Sequence, residues 1–126
     1  MLSRIRDSHS QRFISLINLD QDEKELQIKE GGRELFGGKV FLPGRKAKLL
    51  PIGIRLNGLY VRWSTAEITQ SNKNGLALRQ SAMPERVEVE GNVRIDNDQV
   101  RVVSGGQGKT LLEIAPGRGS VWLHPA

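Results

Sequence analysis

The stretch RVEVEGNVRIDNDQVRVV, residues 86–103, decides the fold class. Val87 and Val89 alternate with Glu88 and Glu90, Gly91-Asn92 breaks the run, Val93 and Ile95 resume it, and Asp96-Asn97-Asp98 turns it into Val100 and Val102. Alternation with period two is the signature of a strand with one face on a core and one in water, so this stretch predicts strand, turn and strand. Beyond it, a Gly-rich loop over residues 104–108 leads to Leu112 and Ile114. A second turn at Pro116-Gly117-Arg118-Gly119 then gives Val121 and Leu123 on one face with Trp122 on the other, the pattern of a closing hairpin.

Working toward the N-terminus, Ile54 and Leu56 precede Asn57-Gly58, and Leu59, Val61 and Trp63 follow. Asn-Gly tolerates the positive φ angles of a type I′ turn, whose twist matches paired strands, so a hairpin is expected here. In residues 64–80, Ala66, Ile68, Leu76 and Leu78 line either a strand pair turned at Asn72-Lys73-Asn74-Gly75 or a short helix beginning near Ser64; the turn residues favour strands. Gly31-Gly32 and Gly37-Gly38 bracket an expected loop, and Pro43-Gly44, Pro51 and Gly53 leave only short extended pieces such as residues 39–42. Phe13, Ile14, Leu16, Ile17 and Leu19, the polar turn Asp20-Gln21-Asp22-Glu23, and then Leu26 and Ile28 predict a first hairpin over residues 12–29. Leu2 and Ile5 among Arg4, Arg6 and Asp7 suit the last turns of a helix, a stub over residues 1–10. The expectation is one mainly β domain spanning residues 1–126, with antiparallel sheets of about eight short strands and little helix.

Composition narrows the function classes. The 126 residues contain no Cys, which removes disulfides, thiolate zinc sites and a Cys nucleophile. Apolar runs are far shorter than the ~20 residues that span a bilayer as a helix, so the chain is expected to be soluble. The net charge of +5 is concentrated, with Lys39, Arg45, Lys46, Lys48, Arg55 and Arg62 in one basic stretch; on one face they would form an anion or nucleic-acid surface. Gly105-Gly106-Gln107-Gly108-Lys109-Thr110 ends like a phosphate-binding loop. Val103 stands where that loop needs its first Gly, and Pro116-Gly117 leaves no room for the helix that must follow, so no nucleotide site is expected. His9 and His124 are isolated and expected at the surface, and the carboxylates at Asp20-Asp22-Glu23 and Asp96-Asp98 fall in turns, where Asp caps backbone amides. No catalytic residue, cofactor or metal is expected, and the protein is expected not to be an enzyme.

The order of elements resembles the soluble domain of the pseudopilins and minor pilins of type II secretion, type IV pilus and competence systems. Residues 1–10 would end the helix of that family and residues 12–29 would form its first hairpin. Leu50-Pro51-Ile52-Gly53-Ile54 would lead into the next strand; Gly91-Asn92, residues 100–103, residues 111–115, the Gly117-Arg118-Gly119 turn and residues 121–123 would close the domain. The family's N-terminal cleavage motif and long apolar helix do not occur in this sequence. The resemblance implies a non-enzymatic assembly module, the globular head of a pilin-like subunit of the cell envelope or periplasm, with protein partners. Two other classes fit the same residues: a small basic β domain that binds nucleic acid nonspecifically, stacking bases on Tyr60, Trp63 or Phe41, and a virion or other assembly component.

Overall fold

The computed structural model describes the backbone of residues 2–8 and all of residues 11–126. The chain is all β, as expected, and no helix occurs among the described residues. Its strands are β1 (Leu2–Ser8), β2 (Gln11–Ile17), β3 (Lys24–Glu30), β4 (Arg33–Leu42), β5 (Ala47–Pro51), β6 (Ile54–Leu56), β7 (Leu59–Ser64), β8 (Ile68–Asn72), β9 (Gly75–Arg79), β10 (Glu85–Glu90), β11 (Val93–Arg94), β12 (Val100–Gly106), β13 (Lys109–Ile114) and β14 (Ser120–Pro125). They build a five-stranded sheet of order β12-β13-β10-β7-β6, a four-stranded sheet of order β11-β14-β9-β8, a three-stranded sheet of order β1-β2-β5, and a β3-β4 pair, all antiparallel.

Alternation sorts the five-stranded sheet into two faces. Val61, Val87, Val89, Leu112 and Ile114 are buried and pack with Leu76, Leu78, Val121 and Leu123 of the four-stranded sheet in one core. Each such side chain contributes ~1.5–3 kcal/mol by leaving water. Two expected hairpins lie in this half. Asn57 (φ 51°) and Gly58 (φ 84°) join β6 to β7 in the left-handed region that a type I′ turn requires. Lys73 and Asn74 join β8 to β9, and Asn72 Oδ1 accepts the Asn74 amide at 2.8 Å. Gly75 follows because β14 runs so close that a Cβ there would sit 2.0 Å from the Leu123 carbonyl oxygen.

A second, smaller core joins Ile14 and Leu16 of β2 and Leu50 of β5 to Phe36, Val40 and Leu42 of β4. Strand β4 is continuous where the glycines predicted a loop. Between Lys29↔Glu34 and Gln27↔Lys39, β3 advances two residues and β4 five, so residues 35–38 swell outward as a bulge. Gly37 (φ 60°) supplies the left-handed turn, and the swelling drives Phe36 into the core edge-on to Trp63, ring centroids 6.2 Å apart.

Three expectations are corrected: the helical stub, the first hairpin and the closing hairpin. Residues 2–8 form a strand, not a helical stub: a segment this short has little helical stability of its own, whereas pairing along β2 satisfies its backbone. The hairpin expected over residues 12–29 does not form; β2 pairs with β1 and β5, and β3 with β4. Buried Asn18 is the reason. Its Nδ2 donates to the carbonyls of Asp22 (2.8 Å) and Pro43 (3.2 Å), its Oδ1 accepts the Asp20 amide (3.0 Å), and its own amide donates to Lys46 O (2.9 Å). These bonds tie the end of β2 to the β4–β5 turn, so β3 turns instead through Gly31 and Gly32 onto β4. In the connection from β2 to β3 the Lys24 ammonium, 2.9 Å from Asp20 and hydrogen-bonded to it, lowers the Asp20 carboxyl below the usual carboxylate range and is itself raised.

In the C-terminal third, β10 pairs with β13 and β7 rather than with its sequence neighbours. Likewise β13 and β14 are not a closing hairpin but lie in different sheets, β14 between β9 and β11. Alternation fixes which face a residue takes; it does not choose the neighbouring strand.

Removing the Asn18 amide leaves buried carbonyls at both turns without their donor. Asn18→Ala is expected to lower the unfolding free energy by about 1–3 kcal/mol, read as a shift of the urea midpoint at unchanged m-value.

Candidate functional site

The six cations of the basic stretch do not gather on one face. Lys48 points into the protein: its side chain is 10 % exposed, and its Nζ lies 3.2 Å from Oε1 of Glu85, which is 2 % exposed. Arg62 lies 3.3 Å from both Glu88 and Glu90, and Lys39 is 3.9 Å from Glu25. Arg55 stacks over the Tyr60 ring at 5.0 Å. Arg45 and Lys46 remain together in the β4–β5 turn, where Arg45 takes a positive φ of 54°.

The other predicted features also find places. The Gly-Lys-Thr motif closes the β12–β13 hairpin at Gln107 (φ 55°) and Gly108 (φ 76°), so its amides serve a strand turn. His124 is not a free surface residue: Nδ1 lies 2.8 Å from the Asn74 carbonyl and Nε2 3.2 Å from Asp96 Oδ2. His9 lies outside the described residues. Among the described residues no three His, Cys, Asp or Glu side chains cluster as metal ligands.

Two surfaces stand out. The first is a groove of about 530 Å³ between the β4 bulge and the outer face of the five-stranded sheet, with Arg33, Glu34, Tyr60, Trp63 and Glu88 in its lining. Its walls are fixed by charge. Trp63 Nε1 donates to Glu88 Oε2 at 2.8 Å, and the same oxygen lies 3.3 Å from Arg62 Nε. Arg86 spreads over the Trp63 ring at 5.9 Å and donates to the Gly37 carbonyl at 3.3 Å and the Lys39 carbonyl at 2.6 Å, holding the bulge on β10. Past Glu88 and Leu111 the groove meets a second hollow of about 400 Å³, floored by Gly105 and Gly106 and rimmed by Ser104, Gln107 and Lys109. Alternation marks Arg86 and Glu88 as outward residues of a strand. The overhang of β4 has no such signal, because it arises from a bulge in a segment whose glycines suggest a loop.

The second surface is the outer face of the three-stranded sheet. Register places Ile17 opposite Ala47 and Ser15 opposite Leu49, on the face away from the core residues Ile14, Leu16 and Leu50. Ile17 is 36 % exposed, Leu49 42 % and Leu19, just past β2, 65 %. Arg45 and Lys46 share a shallow hollow with Ile17, Leu19 and Ala47.

The position of Lys48 yields a direct test. Lys48→Met leaves the Glu85 carboxylate buried without its cation and is expected to cost about 3–5 kcal/mol, measured by denaturant unfolding. Combining it with Glu85→Leu is expected to recover most of that loss, since an apolar pair of similar volume needs no counterion.

Compared with known proteins, the sequence matches no family model and no curated relative.

Proposed function

We propose that this protein is a non-enzymatic assembly module that docks a protein partner on the outer face of its three-stranded sheet. The observation that carries this reading is the cluster of Ile17, Leu19, Ala47 and Leu49 beside Arg45 and Lys46. Large aliphatic side chains left together in water lose the free energy that burial would give them, and a contiguous patch with a polar rim is the usual form of a docking site. The two rim cations select the partner by charge: an apolar centre bordered by carboxylates complements them and an arginine-rich surface does not.

Heads of pilin-like subunits belong to this class; the helix end and the two hairpins expected from that resemblance are strands paired otherwise, so this form of the proposal rests on the antiparallel β character alone. It places the partner in a secretion or pilus assembly. The nucleic-acid reading draws less support, since Lys48 and Arg62 already face carboxylates.

A photo-crosslinking amino acid at Leu49, in cells of the source organism, is expected to trap one discrete protein, and Ile17→Asp in the same chain to abolish the adduct. The same amino acid at the exposed turn residue Lys73 serves as the control. Equal adducts from both positions, or an adduct indifferent to Ile17→Asp, would remove the docking face.

A further inference from the structure

We infer that β3 pairs with β3 of a second copy of this chain, antiparallel and centred on Gln27, to make one four-stranded sheet across a two-fold axis. Strand β3 (Lys24–Glu30) is bonded to β4 on one side, and no described strand lies on its other side. Glu30 and Arg33 close the two-residue turn of Gly31 (φ 60°) and Gly32 (φ 80°), so their amides and carbonyls are spent on each other. Alternation along the strand then turns the amides and carbonyls of Glu25, Gln27 and Lys29 outward. An edge of this kind is a template for another strand.

The order of side chains says which strand fits. Read backwards, KELQIKE carries each charge where its opposite stands in the forward reading. Antiparallel pairing about Gln27 therefore sets Glu25 against Lys29 and Lys24 against Glu30, each twice, and Leu26 against Ile28. In this register residues 25, 27 and 29, whose amides face outward, also fall opposite one another, so hydrogen bonding and charge agree on it. Moving the register by two residues leaves no opposite charges of β3 facing each other, and parallel pairing in register sets like against like. Charges on an edge ordinarily deter a second copy. Here their order admits one, in a single register.

The two faces of the strand fit the same partner. Leu26 and Ile28 are half-buried against the smaller core, and setting each against its counterpart continues that core across the axis. On the other face Glu25, Gln27 and Lys29 are exposed and can meet the second copy without uncovering a buried group. Lys24 already pairs with Asp20 and Glu30 with Arg12, so the inner contacts of Glu25 with Lys29 carry the recognition. The docking face belongs to another sheet, and this pairing does not depend on it.

Sedimentation equilibrium of the intact protein from about 10 to about 500 μM tests the assignment, with a monomer–dimer equilibrium expected. Glu25→Lys and Lys29→Glu each create two like-charge contacts and are each expected to weaken the dimer about tenfold or more. An equimolar mixture of the two variants is expected to recover it, because in the mixed pair each of these contacts joins opposite charges; a folding defect would not be repaired by mixing. The chain has no Cys, and residues opposite one another across the axis lie about 5.5 Å apart, within reach of a disulfide. Gln27→Cys is therefore expected to give a covalent dimer on mild oxidation, with Lys73→Cys as the control. A monomer over the whole concentration range would overturn the proposal. So would a dimer indifferent to both charge substitutions, variants that stay apart when mixed, or a covalent dimer formed as readily through position 73.

Discussion

Two small cores on one chain need a fixed seam, and the pair between Lys48 and Glu85 supplies it. Lys48 sits on the core-facing side of β5, in register with Leu16, while Glu85 begins β10 of the five-stranded sheet. The carboxylate takes the ammonium at 3.2 Å and the Ser81 hydroxyl at 2.7 Å through the same oxygen, and the ammonium also donates to the Thr65 carbonyl at 3.4 Å. Desolvating two ions costs several kcal/mol each, and only such a set of bonds offsets it. The pair therefore adds little net stability over an apolar one. What it adds is register: slipping β5 by one residue would move Lys48 to the outer face and leave Glu85 alone in the interior. The same register turns Ala47 and Leu49 outward beside Ile17, so the docking face is a consequence of the seam.

A comparable constraint shapes the groove. The bulge in β4 leaves residues 35–38 without strand partners, and backbone carbonyls there need donors. Arg86 provides one for Gly37 and also donates to the carbonyl of Lys39, where pairing resumes, while its guanidinium covers Trp63, and Trp63 in turn is anchored by Glu88. One arginine thus fixes the overhang, the aromatic wall and the position of the central carboxylate. A chain of contacts of this kind makes a site rigid before any ligand arrives, which lowers the ordering cost of binding.

The parts of this structure that were legible in the sequence are those set by local chemistry. Asn57-Gly58 and the turn before Gly75 carry their hairpins in the turn residues themselves, and the valines of residues 87–89 show which face is buried. Pairing of distant strands has no such local mark. The insertion of β13 between β10 and β12 depends on matching Val87 with Leu112 and Val102 with Leu112 across two interfaces, which alternation alone permits in several arrangements. Charge was misleading for a physical reason. Nearness in sequence placed Lys48 with Arg45 and Lys46, yet period two sends Lys48 inward while its neighbours Ala47 and Leu49 point out. The groove was hidden because Gly37-Gly38 reads equally as a loop or as a bulge inside a strand.

Strand edges offer any β protein a second route to association, and at two edges of this one the route is obstructed. Strand β12 is the outer strand of the five-stranded sheet and exposes both Val102 and Val103, a combination that invites an added strand. Its register against β13 shifts between Val102 and Ser104, however, so Val103 is an extra residue that bends the edge. A partner strand laid along β12 would meet a broken row of amides and carbonyls. At the three-stranded sheet, β5 presents its edge to Glu67, whose carboxylate accepts the Leu49 amide at 3.1 Å and puts a negative charge where a further strand would have to pair. With these two edges blunted, association beside β12 or β5 falls to side chains on a face, and on the three-stranded sheet that face carries Ile17, Ala47 and Leu49. Binding there selects a partner by shape and charge, whereas an uncharged edge would accept any extended chain.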